Sequence, residues 1–375
     1  MSSGEHRPTF ARVDLNALAA NLRATRDFVG PDLKYMAVVK ADAYGHGAVA
    51  CAKRLQSEGI DWFGVALPEE GCELRQSGIT RPILCLGSFF PGQEKIIVEH
   101  DLTPVIFDID VAEELSKYLG ERSHNIHIKV DTGMGRLGFR WPLAHEFARE
   151  LKRYPNLKVT GLMSHFASAD DPGQDSFTSL QIDRFKEAVG AFEEEGFAPD
   201  IIDIGNSPGS IRCIGSRHGM VRLGGALFGL LDDILPSVAD RPRLTPVLSL
   251  LSRIAFIKRV PAGAGLGYGQ TFQTQRESLI ALVPIGYADG YPRGESNSQT
   301  AIINGCLVPI VGRVSMDWTI IDVTDCSDPA KGDEVVFVGR SGDKEILAAD
   351  LAREIDTIGY EITCGISPRV PRVYI

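Results

Sequence analysis

The chain has 375 residues, 44% of them hydrophobic and 23% charged, the balance of a folded globular protein of two or three domains. Lys plus Arg total 39 against 49 for Asp plus Glu, a net charge of −10 with no basic run inside the acidic excess. Such a surface has no phosphate-neutralising footprint for nucleic acid, and disorder, collagen-like repeats and coiled coil are poor readings as well.

The seven cysteines are Cys51, Cys72, Cys85, Cys213, Cys306, Cys326 and Cys364. None pairs as CxxC, and an odd, scattered set makes no disulfide framework. Of the eight histidines only His124 and His127 stand at short spacing, without the companions a metal site needs, so no metal is expected. The opening MSSGEHRPTF lacks the apolar stretch of a secretory signal, and no run approaches the roughly 20 apolar residues of a membrane span. A cytoplasmic location without a membrane partner is expected.

In chain order, Asp14 can cap a helix whose apolar positions Leu15, Leu18 and Leu22 follow helical spacing. A β-type run over 35–40 follows, then a Gly-containing turn and a helical stretch, and this alternation recurs. Strands are predicted at 62–66, 82–86, 103–107, 125–130, 158–164, 200–204 and 220–223. Amphipathic helices are predicted at 69–76, 111–119, 143–153 and 179–194. Eight strand–helix units in about 200 residues favour a (β/α)8 barrel over a doubly wound sheet, which more often stops near six strands. Beyond residue 240 the texture changes. A Pro-rich stretch leads into short strands at 278–285, 300–303, 307–311, 319–323 and 334–338, with Asn304-Gly305 as a hairpin turn and one helix at 347–355. The expected division is a barrel over 1–240 and a mainly β domain over 241–375.

In a barrel, catalytic groups sit at the C-terminal strand ends and in the loops that follow. Those positions hold Lys40, Lys129, His165, Asn206-Ser207 and Arg222 with Gly224-Gly225. Lys40 follows Met-Ala-Val-Val, so its stem is expected to be buried, which lowers an amine pKa and favours a neutral nucleophile suited to Schiff-base chemistry. A snorkelling lysine is the plain alternative. Asn206-Ser207-Pro208 reads as a capped helix start, and Gly224-Gly225 allows close backbone approach. After the last two barrel strands such features attract anions. With the lysine they point to a phosphorylated carbonyl cofactor, pyridoxal phosphate being the obvious one.

AVVKADAYGHG at 37–47 resembles the pyridoxal-phosphate attachment signature of the alanine racemase family. The similarity continues, in the family's order, through KVDTGMGRLGF (129–139), SHFASAD (164–170), RLGGALFGL (222–230), GYGQTF (267–272), GYADGYPR (286–293), GRVSMD (312–317) and GYEITCGISPRVPRVY (359–374). The resemblance implies a (β/α)8 barrel followed by a β domain. It also implies a head-to-tail homodimer whose active sites each combine one barrel with the partner's β domain, interconverting L- and D-alanine. D-Alanine is a peptidoglycan precursor, so a bacterial host is implied.

Carried over by position, Lys40 forms the internal aldimine and is one catalytic base. Tyr268, from the other subunit, is the opposite base. Tyr44, Ser207, Gly224, Gly225 and Tyr360 surround the phosphate, and His165 lies beside the cofactor, connecting Arg222 to Tyr268. Arg222 bonds the pyridine nitrogen. Arg136 and the Met316 backbone hold the substrate carboxylate. Lys129 matches a lysine carbamylated in many members, and Tyr287 and Arg293 line the entrance. Ser315 stands where the family often has Cys, and Gly225 where Ile or Val is common. Fold-related amino-acid decarboxylases use an acidic residue at the pyridine nitrogen and a catalytic cysteine, which Arg222 and Tyr268 argue against. A lone-barrel cofactor-binding protein would lack the second domain, and broad-specificity racemases tend to be exported.

Overall fold

The computed structural model describes residues 7–212, 219–235 and 240–375, so Cys213 lies outside the described residues. Two compact units make up the chain. One comprises the residues up to Ala17, Tyr44–His46 and Thr245–Ile375, and the other Leu18–Ala43 and Gly47–Leu244. The first strand, β1 (Phe10–Val13), pairs antiparallel with a strand at Leu248–Arg253 and parallel with one at Arg372–Tyr374. The expected barrel over 1–240 is corrected on this point. The N-terminal strand is consumed by the β unit, where its alternate residues Ala11 and Val13 are fully buried.

In the barrel unit β2 (Lys34–Val38), β3 (Trp62–Val65), β4 (Ile83–Cys85), β5 (Thr103–Ile106), β6 (His124–Asp131), β7 (Phe139–Arg140), β8 (Leu157–Met163), β9 (Ile201–Asp203) and β10 (Met220–Leu223) form one sheet. Its order is β10-β2-β3-β4-β5-β6-β8-β9, with β7 a short strand beside β6, and every pairing is parallel. The two ends meet where Arg222 N–H donates to the Gly205 carbonyl at 2.9 Å, nearly closing the ring. The eight expected barrel strands are all present, within two or three residues at their ends. Met36, Leu84, Val105, Met163, Ile201 and Met220, from six different strands, pack into one buried cluster that only the interior of such a ring can hold. His127 is fully buried at 5.2 Å from the Trp62 ring, and a Cβ on Gly161 would run into its imidazole. The helix Leu15–Val29 starts as expected, with Asp14 Oδ1 accepting from the N–H groups of Asn16 and Ala17, both at 2.9 Å.

The β unit carries β11 (Leu248–Arg253), β12 (Phe256–Val260), β13 (Gly265–Leu266), β14 (Phe272–Gln273), β15 (Ser278–Val283), β16 (Thr300–Ile303), β17 (Cys306–Pro309), β18 (Thr319–Asp322), β19 (Glu334–Ser341), β20 (Lys344–Ile346) and β21 (Arg372–Tyr374). A sheet ordered β17-β16-β19-β11-β1-β21 lies in this unit, together with a three-stranded sheet β12-β15-β18 and the small pair β13-β14. Asn304 and Gly305 have φ of 50° and 76° and join β16 to β17 as the expected two-residue turn. The expectation of a single C-terminal helix is corrected. Beside Ala348–Glu354 there is a second helix, Gly359–Gly365. Its Gly, Tyr, Ile and Thr content is weakly helical, and the helix is held by tertiary burial of Ile362 and Thr363.

One buried group in this unit gives a pH prediction. Glu295 is fully buried, and burial, reinforced by Glu354 and only partly opposed by Gln299, raises its pKa from 4.5 to about 7. Between those values the folded protein keeps a proton that the unfolded chain has released. This group's contribution therefore falls as pH rises from about 4.5 to about 7. Urea midpoints measured across that window should show this decline in the parent protein and lose it in Glu295→Gln. An unchanged decline in the variant would contradict the assignment.

Candidate active site

The strand read as ending at Lys40 ends at Val38, and Lys40 instead opens a turn over Lys40–Gly45. Ala41, Asp42, Ala43 and Tyr44 have φ between 52° and 54°, a left-handed helical run of four residues that all carry side chains. L-residues adopt it at about 1–2 kcal/mol each, so the surroundings must impose it. They do so through two carboxylates. Asp42 Oδ1 accepts from Ala48 N–H at 2.7 Å, and its carbonyl accepts from Gly47 N–H at 2.8 Å. Glu70 Oε1 accepts from Ala41 N–H at 2.7 Å, while Oε2 accepts from Ala66 and Leu67 at 2.7 and 3.1 Å. Ala43 N–H closes onto the Val39 carbonyl at 2.9 Å. Asp42 and Glu70 were not among the expected site residues. Asp42 lies inside the ADAYG signature and was legible; Glu70 lies 30 positions beyond Lys40, in another element.

Around Lys40 the barrel gathers positive charge. Arg222, 3% exposed at the end of β10, donates from Nη2 to the Ser164 carbonyl at 2.7 Å and to His165 Nδ1 at 3.1 Å, while Nη1 pairs with the fully buried Asp203. Burial lowers the Arg222 pKa to about 9, which leaves the guanidinium charged at neutral pH. Lys129 is buried and donates to the same Ser164 carbonyl at 3.2 Å. Its pKa is pushed well down by burial first, then by Arg222, Arg136 and Lys40, against a weaker pull from Asp131. His165 is held neutral by burial and by Lys129, Arg222, Arg136 and Lys40. Because Arg222 donates to Nδ1, the His165 proton sits on Nε2. The expected residues Lys40, Lys129, Arg136, His165 and Arg222 thus form one electrostatic group. Asp203, which compensates Arg222, was missed, although a charge at the end of an apolar strand was its visible signal.

The two expected backbone features, a capped helix start and a glycine pair, lie within the barrel unit. Asn206 Oδ1 accepts from Gly209 N–H at 3.0 Å, with Pro208 in the first turn of Ser207–Ile211. Gly224 caps a second short helix, Gly225–Phe228. The Ser207 hydroxyl, 5% exposed, accepts from Gly224 N–H at 2.9 Å and joins the two starts. Two helix starts with a serine hydroxyl between them form a donor set for an anion.

The remaining expected residues lie in the β unit. Tyr44 meets Tyr360 edge-on at 5.5 Å between ring centroids. Gly45 has φ of 82°, its absent Cβ would collide with the Thr363 carbonyl, and its own carbonyl accepts from Arg372 Nε at 3.0 Å. Tyr268 is 72% exposed on the short turn Tyr268–Gln270, between Gly267 and Gly269 with φ of 69° and 71°. Tyr287, Arg293 and Met316 are exposed as well. The Met316 carbonyl accepts from Ala288 N–H at 3.0 Å, and the Ser315 carbonyl from Tyr287 N–H at 3.1 Å, which ties the two segments together.

A parallel barrel gathering lysines, arginines and an anion cradle, followed by a β unit with an exposed tyrosine, belongs to the class of barrel enzymes built for a phosphorylated cofactor. The family models for the alanine racemase N-terminal and C-terminal domains match residues 13–232 and 247–374. The chain belongs to the alanine racemase family, whose members are pyridoxal-phosphate-dependent isomerases. An alanine racemase of Halothermothrix orenii is 42% identical, covering 98% of this chain and 97% of its own length. The solved alanine racemase of Clostridium difficile 630 has a TM-score of 0.92 at 36% identity, covering 99% and 96% of the two chains. That of Bartonella henselae, solved with covalently bound pyridoxal phosphate, has a TM-score of 0.88 at 29% identity, covering 99% and 100%. Among the described residues no helix is long and apolar enough to cross a membrane.

The Arg222–Asp203 pair generates a stability prediction. Asp203→Ala leaves a buried guanidinium uncompensated and should cost about 3–5 kcal/mol in chemical denaturation. Replacing both partners, as Asp203→Leu with Arg222→Met, should recover most of that loss. A double variant as unstable as the single one would show that the charge pair is not what Asp203 supplies.

Proposed function

We propose that the chain interconverts L- and D-alanine with pyridoxal phosphate carried on Lys40, as a head-to-tail homodimer that supplies D-alanine for peptidoglycan. The observation that carries this reading is the convergence of Lys40, Lys129, Arg136 and Arg222 on a neutral His165. The donor set fits the cofactor. Within the barrel unit the Ser207 hydroxyl and the Gly225 N–H suit its phosphate. Arg222 suits its ring nitrogen. Gly225 brings no side chain to the phosphate, which weakens packing there relative to a branched residue. Bound pyridoxal phosphate supplies an electron sink that acidifies the substrate's Cα–H.

Lys40, on one side, takes or returns the Cα proton through its amine. The Tyr268 hydroxyl serves the opposite face from the partner subunit, a reading supported by its 72% exposure on its own chain. Arg222 keeps its charge and holds the ring nitrogen unprotonated, which limits charge delocalisation and disfavours transamination. His165, with its proton on Nε2, links Arg222 to Tyr268. Arg136 and the Met316 N–H orient the substrate carboxylate, and Tyr287 and Arg293 line the approach. Lys129 is buried with its pKa pushed well down, which favours the neutral amine that adds CO2 and releases a proton to solvent. The resulting carbamate fixes Arg136.

Incubation with pyridoxal phosphate and L-alanine should yield D-alanine in a chiral assay. Borohydride reduction and peptide mapping should place the reduced cofactor on Lys40. Lys40→Ala should lose both racemisation and the protein-linked chromophore. The reduced cofactor on another lysine, or undiminished D-alanine from the variant, would overturn the assignment.

A further inference from the structure

The sequence offers no CxxC pair, yet the β unit brings two cysteines 20 positions apart to the same residue, Ile303. Cys306 opens β17, directly across the Asn304–Gly305 turn from Ile303, its register partner. Cys326 follows β18, and its Sγ lies 3.9 Å from the carbonyl of that same Ile303. Both cysteines therefore flank Ile303, and both thiols are free. The surrounding loops are clasped. Asp333 Oδ2 accepts from Asn304 Nδ2 at 3.0 Å and from Ala330 N–H at 2.9 Å, and Cys326 N–H donates to the Val323 carbonyl at 3.1 Å. The fold thus keeps both cysteines beside the same residue, the proximity that a disulfide requires.

We propose that Cys306 and Cys326 form a redox-active dithiol, closed to an intramolecular disulfide by a small-molecule disulfide and reopened by a dithiol reductant. Cys306 is part-exposed and reacts first; Cys326 is 8% exposed, and burial, then Cys306 itself, raises its thiol pKa. The Cys306 thiolate attacks one sulfur of the oxidant, forming a mixed disulfide and expelling the first thiolate, which takes up a proton. Cys326 then gives its proton to solvent and attacks the Cys306 sulfur, forming the protein disulfide and expelling the second thiolate. Two protein thiols lose two electrons and two protons, and the oxidant is reduced to two thiols. Cys51 and Cys85 are buried, and burial raises both thiol pKa values, so neither competes. The loop closed, residues 306–326, carries Met316.

The test uses the holoenzyme with glutathione disulfide, followed by N-ethylmaleimide and a non-reducing tryptic digest. Residues 294–313 and 314–331 form separate tryptic peptides, one with each cysteine. They should appear joined, two hydrogens lighter than their sum and free of glutathione, and separate again with dithiothreitol. Exposed Cys364 provides the contrast, a glutathione adduct that does not resolve. Cys326→Ser should stop at glutathionylated Cys306, and Cys306→Ser should slow reaction at Cys326 by about tenfold or more. Both peptides recovered as maleimide adducts while Cys364 reacts, or a lasting glutathione adduct on Cys306 of the parent protein, would overturn the proposal.

Discussion

A left-handed turn without glycine at its first four positive-φ residues governs the geometry around Lys40. At about 1–2 kcal/mol per residue, Ala41 to Tyr44 carry about 4–8 kcal/mol of conformational cost that neighbouring groups must offset. The carboxylates of Asp42 and Glu70 do this by accepting backbone N–H groups on both sides of the turn. The turn reverses the chain immediately after β2, so Lys40 leaves the strand at the barrel rim and the chain reaches Tyr44 and Gly45 four and five residues later. Gly45 then takes the one position where any side chain would strike the Thr363 carbonyl. A right-handed turn at this point would redirect every residue from Lys40 to His46. Strain of this kind persists where the surroundings over-determine it, which is characteristic of functional sites.

The second constraint is electrostatic. Four cationic side chains act on His165, and only Asp203 and Asp131 offset them among the groups described above. Burial, reinforced by this excess, lowers the pKa of Lys129 and His165, while Arg222 keeps its charge. The same excess makes the site a receptor for anions. On the proposed reading a phosphate, a substrate carboxylate and a carbamate on Lys129 each supply negative charge to it.

Much of the barrel was legible because its strands are short, apolar runs punctuated at regular intervals, a pattern set by burial on both faces. The helix starts at Asp14 and Asn206 and the turn at Asn304-Gly305 were legible because local chemistry decides them. The pairing of β1 with β11 and β21 depends on contacts more than 230 residues apart, which no local pattern encodes. The left-handed turn was hidden because Ala and Tyr ordinarily avoid positive φ, and it depends on the Glu70 carboxylate from another element as well as on Asp42 within it. Asp203 shows the same limit. Its charge was visible, but its partner across the barrel was not. Tyr268 was legible by resemblance alone, since an exposed tyrosine on a short turn carries no functional signal of its own.

On the proposed reading Lys40 and Tyr268 act on opposite faces of the same Cα, which isotope exchange can test. Tyr268→Phe keeps the ring but removes the exchangeable proton. On the proposed reading Lys40 works on the D-enantiomer and Tyr268 on the L-enantiomer. In deuterated water, with NMR following the α-proton, the variant should still exchange D-alanine while exchange from L-alanine falls by about 10² or more, the usual loss for an acid–base group. Equal exchange from both enantiomers would contradict the two-face account and remove Tyr268 from the chemistry.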